Sequence, residues 1–339
     1  MLKYVIKRFL MVIPVMIGVS IIVFALMRVF SPDPAPIVLG QHATQEAITT
    51  WRHANGLDGP VVTQYFTYVK GALTGNLGVS YYSKTPVAEE IGARFPATIE
   101  LAISAITFAT ILGVLLGVIA AVRKNSIFDA SSTIFALIGV SVPIFWLGIL
   151  LIMFFCGFLH WLPSGGRINV LLEPAHVTGF YMVDAALQGN WDAFVDAFRH
   201  LLLPTLALGM YSMAIITRMT RSTMLETLGQ DYIRTARAKG LGERKVVGKH
   251  ALRNSLIPVV TVIGLQFGAL LGGALLTESV FSWPGIGKFT VDSILKSDFP
   301  VVQGIVLLVA VVFVTVNLGA DLVYAFLDPR IKYSSRKEG

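Results

Sequence analysis

The chain has 339 residues, of which 55% are hydrophobic and only 14% are charged. A mean hydropathy of +0.71 excludes a single soluble core and indicates several membrane spans. The formal net charge of +7 gathers between apolar runs, so it reads as membrane orientation rather than nucleic-acid binding.

MLKYVIKRFLMVIPVMIGVSIIVFALMRVF opens the chain with a basic start and a long apolar run. The run exceeds the roughly 7–15 residues of a signal peptide, and no A-x-A site follows. Residues 1–30 are therefore expected to be a retained first transmembrane helix. Residues 31–96 read as a periplasmic segment, rigid at SPDPAP and forming a short helix that ends near Gly71. Five more spans are expected at about 97–122, 131–158, 201–219, 256–280 and 302–327, each near or above the roughly 20 residues a helix needs to cross. They must be helical, because lipid cannot satisfy backbone hydrogen bonds; Pro14, Pro143 and Pro204 are tolerated kinks. Cys156 is the only cysteine, so no intrachain disulfide forms, and its apolar setting suggests a small buried thiol. Between spans three and four, a helix across 177–198 would place Asp184, Asp192 and Asp196 in lipid, so an external or interfacial helix is expected there.

Eighteen Lys and Arg residues flank one side of these spans and eight the other. Both termini, the loop 220–255 and the tail 330–339 are therefore expected in the cytoplasm. The fold class is an all-α polytopic membrane protein with six transmembrane helices.

Polar groups within spans call for an explanation. Glu100 and Glu278 fall near outer span ends, where headgroup-level solvation is expected. Asn317 and Asp321 are four apart on one helical face and suit interhelical hydrogen bonds better than an ion site; with Gln266 and Glu278 they are the candidate pathway or interhelical polar groups. No histidine or acid sits at mid-span, so the driving force is not expected in this chain's own titratable groups, and no metal set is seen. Gly113 and Gly117 in GVLLG, and Gly264, Gly268 and Gly272 in GLQFGALLGG, form small-xxx-small ridges for close helix packing. Static packing and packing on a moving helix both fit that spacing.

From Arg218 to Arg253 nine basic residues face three acids. On a helix, Tyr232, Ile233, Ala236 and Gly240 share one arc of about 100°, with Arg237 and Lys239 beside it and Arg234 towards the far side. Such small residues let a helix axis approach a groove on another protein, whereas a lipid surface would favour bulky apolar side chains.

TARAKG followed by HALRNSLIPVVTVIGLQ resembles the EAA-type loop of binding-protein-dependent ABC importer permeases. Gly240 matches the motif glycine, Ala236 one of its alanines and Pro258 a following proline. Arg234 stands where the general motif has Glu, and Arg253 where it often has Pro. Both are similar to the peptide/nickel branch, as are NGLDGPVVTQY, GNLGVS, TRMTRSTMLE, TESVFSWPGIG and DPRIK; SPDP departs from it. Within that branch the likeness is greatest to dipeptide permeases. The resemblance implies a type I importer permease fold, with residues 97–329 as its permease domain, in a bacterial inner membrane. Tyr232, Ile233, Ala236, Arg237, Lys239, Gly240 and Leu241 would form the coupling helix, seated in a cytoplasmic ABC ATPase. Implied partners are a homologous second permease subunit, two such ATPases and a periplasmic or lipoprotein substrate-binding protein meeting 31–96 and 281–300. ATP-Mg would reside on the ATPases, leaving this chain without cofactor or enzymatic activity. PGIGKFT is no phosphate loop, since Ser282 and Phe289 replace the required Gly and Ser/Thr. Dipeptides or small peptides are the implied cargo, with oligopeptides, glutathione or chelated nickel as alternatives. An autonomous secondary carrier is the reading from another class; an intramembrane hydrolase lacks its motifs.

Overall fold

The computed structural model describes residues 2–40 and 42–327, with the side chains of 11–320 apart from 29, 41 and 273. The expected tail and the side chain of Asp321 lie outside the described residues. Those residues are mostly helical, with one isolated β-bridge between Val79 and Pro86.

Helix α1 (Leu2–Val29) is followed by three short helices, α2 (Pro34–Leu39), α3 (Gln45–Ala54) and α4 (Val61–Leu73). The Asp33 and Thr44 side chains cap α2 and α3 by accepting from Ala35 N and Ala47 N, which satisfies amides that have no partner inside the helix. α5 (Val87–Val122) leads into α6 (Ile127–Ser141) and α7 (Ile144–Leu151), which runs on as a π-helical turn, Ile152–Phe158. Next come α8 (Tyr181–Leu187), the 38-residue α9 (Trp191–Leu228) and α10 (Asp231–Ala238). α11 (Glu243–Lys245) and a π-helical run lead into α12 (Arg253–Gly273). α13 (Leu275–Val280), α14 (Ile286–Leu295) and α15 (Phe299–Leu327) complete the described chain.

Among the described residues, five helices are long and apolar enough to span a membrane, and a sixth span exists if the bent pair α6–α7 counts as one. That pair corrects the expected continuous span 131–158, because the two parts meet at 104°. Pro143 has no N–H to donate and holds Val142 extended, at φ −83° and ψ 126°, so the helix stops rather than kinks. The segment 177–198 is likewise not one helix. Gly189 at φ +66° and the Asn190 cap on Ala193 N end one helix and start another, and α9 takes up 191–198. The expected span 256–280 stops at Gly273, so Glu278 belongs to α13 and not to a span. α5 begins ten residues before the expected 97, extending the helix into the segment read as loop. At 1.5 Å per residue its length is about 54 Å, well beyond the hydrocarbon thickness.

α5 and α9 form the central pair, α12 lies against both and against α15, and α1 packs on α15 at the periphery. The central seam is tight because glycines line it. A Cβ on Gly117 would stand 2.6 Å from Thr220 Cβ, one on Gly113 2.8 Å from Ile216 Cγ2, and one on Gly209 2.7 Å from Phe108. In the α12 ridge only Gly264 is equally tight, its Cβ position lying 2.6 Å from Ala320 Cβ. A Cβ at Gly268 or Gly272 would lie 3.4 Å or 3.5 Å from its nearest neighbour. The loop after α5, the end of α9 and α10 meet at one end of the bundle, called here the basic end. Residues 30–86, α13 and α14 gather at the opposite end.

Candidate functional site

At the basic end, α10 is a two-turn helix resting on its own chain. Ile233 is fully buried and Ala236 is 8% exposed, in a cluster with Ala121, Met224, Val246 and Ala251. This splits the expected arc: Ile233 and Ala236 face inward, whereas Tyr232 and Gly240 are exposed, as are Asp231, Arg234, Thr235 and Ala238. The reason is that an eight-residue helix has little stability alone and must bury its apolar stripe on the nearest surface. Gly240 leaves the arc altogether. Helix α10 closes at Lys239, Gly240 takes φ +78°, and Leu241 N donates to Ala236 O, a Schellman-type ending that uses glycine's freedom at positive φ. Lys239, Gly240 and Leu241 are exposed beyond that end.

The flanks are fixed by side-chain bonds. Tyr232 Oη accepts from Asn254 Nδ2 at 2.8 Å, tying α10 to the start of α12. Arg237 donates to both Glu243 oxygens, at 2.6 Å and 3.1 Å. Arg221 near the end of α9 donates to Asp129 of α6 at 2.9 Å. α10 is therefore seated on the end of α9 and on the π-helical run Val246–Leu252 that leads into α12.

At the opposite end Glu100 and Glu278 are both buried, which corrects their expected headgroup solvation. Glu278 has no exposed surface. It accepts from Thr98 Oγ1 at 2.7 Å and Lys288 N at 3.0 Å. Thr98 Oγ1 accepts from Ile286 N, and Trp283 Nε1 donates to Ala97 O, both at 2.9 Å. The turn WPGIG is thus folded around a carboxylate at the N-terminus of α14, a favourable place for negative charge. Any side chain at Gly285 or Gly287 would collide with that carboxylate. Glu100 accepts from Arg167 Nε at 2.8 Å and Nη2 at 2.6 Å, and from Met182 N at 3.1 Å. Arg167 also lies 3.8 Å over the Tyr181 ring, so a fully paired charge network pins the segment 159–190 to α5.

Burial pushes the Glu278 carboxyl up to about 6, against its hydrogen bonds from Thr98 and the amides of Lys288 and Gly287. A raised acid value means the fold favours the proton. The contribution of this group is full below the unfolded value of 4.5 and is lost as pH rises through about 6. The melting temperature of the wild type relative to Glu278→Gln is accordingly expected to fall between those pH values, and thermal melts across the range check it. A flat difference would contradict the desolvation argument.

At mid-bundle, Ser212 Oγ donates to Gln266 Oε1 at 3.2 Å, linking α9 to α12. Asn317 Oδ1 is buried without a partner among the described residues. Sequence reasoning missed Thr98, Asp129, Arg167 and Arg221, whose importance lies in partners 67 to 180 residues away. The glycines crowding Glu278 in TESVFSWPGIG were the one local signal available.

Two family models match the chain. The binding-protein-dependent transport system inner membrane component covers residues 113–333, and its N-terminal companion covers residues 1–102. The dipeptide transport system permease protein DppB of Alkalihalophilus pseudofirmus is 48% identical over 98% of this chain and 100% of its own. The protein of the same name from Escherichia coli K12 is 47% identical over 98% of this chain and 99% of its own. Among solved structures, the inward-facing MetNI methionine ABC transporter superposes with a TM-score of 0.51 at 18% identity, over 68% of this chain and 93% of that one. At that identity the superposition speaks for the fold alone. With both family models matched and near-full-length identity close to one half, the chain belongs to the binding-protein-dependent transport system inner membrane components.

Proposed function

We propose that this multi-pass permease is one of two membrane subunits of an importer that carries dipeptides into the cytoplasm, driven by ATP hydrolysed on partner subunits. The observation that carries the reading is α10: a short helix outside the spans, docked on the end of α9 and on the run leading into α12, presenting Asp231, Arg234, Thr235 and Ala238 outward. Near-full-length identity to dipeptide permeases supports the cargo.

In this reading the basic end is cytoplasmic, and the outward face of α10 enters a cleft of an ABC ATPase. Closure of the ATPase pair displaces α10 as a body, because Ile233 and Ala236 are locked in the cluster beneath it. Met224 transmits the displacement to α9, and Val246 with Ala251 transmit it to α12. The tight contact of α9 at Gly113 and Gly117 leaves no slack, so α5 moves with it. At the far end the Glu278–Thr98 knot carries that motion to the α13–α14 turn, where a substrate-binding protein would release its cargo. The chain positions and transmits; the bond-breaking chemistry is external to it.

Reconstitution tests this directly. Liposomes holding this subunit with a second permease, two ATPases and a receptor should accumulate labelled dipeptide only with ATP. Liposomes holding this chain alone should accumulate none, with or without an ion gradient. Uptake by the chain alone along an ion gradient would establish the secondary-carrier reading instead. The purified subunit is expected to bind no nucleotide, as equilibrium dialysis with labelled ATP would record.

A further inference from the structure

Two cavities follow the seam between α1, α4 and α15, away from the coupling path. One, of about 400 Å³, is walled by Ile17, Val69, Ala72, Leu77, Leu307 and Val311 and is almost wholly apolar. The other, of about 500 Å³, includes Phe24, Arg28, Gln64 and Gln303. Tyr68 lines both. With α1 running from cytoplasm to exterior, as the basic loops dictate, the apolar cavity is the deeper one and Arg28 stands nearer the outer surface.

Three features mark the seam as incomplete. Arg28, in the last turn of α1, lies 5.8 Å from the Phe299 ring centroid, and no ion pair holds it among the described residues. Of the acids near it, Asp33 is paired with Arg52, and Asp58 lies 3.3 Å from His53. The Tyr68 hydroxyl is buried with no hydrogen-bond partner among the described residues, a costly condition unless a ligand supplies one. α4 itself exposes Val62, Phe66 and Leu73, the last 84% exposed, while Tyr65 and Tyr68 pack against Phe24 of α1. Apolar side chains turned outward beside a cluster of aromatic rings mark a helix lying in the outer membrane interface. The medium at this groove is therefore lipid.

We infer that the seam holds one glycerophospholipid of the outer leaflet, an acyl chain in the deeper cavity and its phosphate against Arg28. The unpaired cation complements the phosphate, and the orphaned Tyr68 hydroxyl is placed to donate to a phosphate or ester oxygen. A partner polypeptide would leave the deep cavity to be filled by side chains threaded between two spans. A lipid tail needs no such path.

The test uses the assembled importer, stripped of lipid and incubated with dioleoyl phosphatidylethanolamine or with dioleoylglycerol, then read by native mass spectrometry. The wild type should retain one more tightly bound phospholipid than Arg28→Gln, whose affinity should fall about tenfold or more, as for loss of a charge-assisted hydrogen bond. Arg28→Lys should keep it. Ala72→Trp, which fills the deep cavity, should also lose it while the complex stays assembled. Dioleoylglycerol should not replace it. Undiminished retention by Arg28→Gln and Ala72→Trp, equal binding of dioleoylglycerol, or capture of a polypeptide by a photo-cross-linker at position 73 would each overturn the inference. Dipeptide uptake, measured in parallel, reports separately on the transport reading.

Discussion

Gly117→Leu is expected to leave no stably folded chain in the membrane, while Gly268→Ala and Gly272→Ala are expected to be close to neutral. The glycines look alike in the sequence, and their neighbours separate them. A Cβ at Gly117 would lie 2.6 Å from Thr220 Cβ and 2.7 Å from Thr217 O. The second contact is with backbone of the partner helix, which cannot rotate away. At Gly113, one turn earlier, the nearest atoms are Ile216 at 2.8 Å and Met213 O at 3.0 Å, so relief at one position tightens the other. Overpacking by a methylene or two costs about 1–3 kcal/mol. Leucine adds four carbons where the first already collides, and a total stability of about 5–15 kcal/mol does not cover it. Gly264→Ala meets Ala320 Cβ at 2.6 Å and should lower the melting temperature measurably. At Gly268 and Gly272 the added carbon makes ordinary contact at 3.4 Å and 3.5 Å, and alanine brings a helix-propensity gain of about 0.5–1 kcal/mol. Membrane yield and thermal melts of the purified variants decide this. A Gly117→Leu protein melting like the wild type would refute the seam geometry.

The same comparison explains what the sequence made legible. Long apolar runs pointed to α1, α5, α9, α12 and α15, though not to their ends, because membrane insertion depends on hydropathy summed over some twenty residues. Pro143 was read as a tolerated kink, yet an extended Val142 before it turns the chain by 104°, and no hydropathy window registers a bend. Hydropathy also cut α9 short, since Asp192 and Asp196 look unlike a span even though they sit at the N-terminus of a helix that protrudes from one. Glu100 and Glu278 were misplaced for a different reason. Their partners, Arg167 and the Thr98–WPGIG knot, come from distant parts of the chain, and only the folded arrangement reveals that a buried charge is satisfied. Ile233 shows a third kind of limit. Periodicity defined the arc that holds Ile233 and Ala236, but a single helix cannot say whether its small-residue face meets another protein or its own.

That orientation carries the largest functional consequence. Ala238→Trp is expected to abolish ATP-driven uptake while membrane insertion and thermal stability stay near wild type. Ala238 lies on the exposed side of α10 with Asp231, Arg234 and Thr235, so an indole there meets nothing in this chain and blocks the seat of α10 in an ATPase cleft. Ala236→Trp is expected to do the reverse, failing at folding, because Ala236 is 8% exposed in the cluster with Met224 and Val246. Truncating or overfilling that cluster costs about 2–5 kcal/mol, whereas the exposed change costs within about 0.5 kcal/mol. Photo-cross-linkers at Arg234 and Ala238 in the assembled importer should capture the ATPase; one at Ile233 should capture only this chain. If Ala238→Trp transports normally and Ala236→Trp folds but does not transport, the small-residue arc faces the partner after all. The displacement path from α10 through Met224 and Val246 would then have to be abandoned.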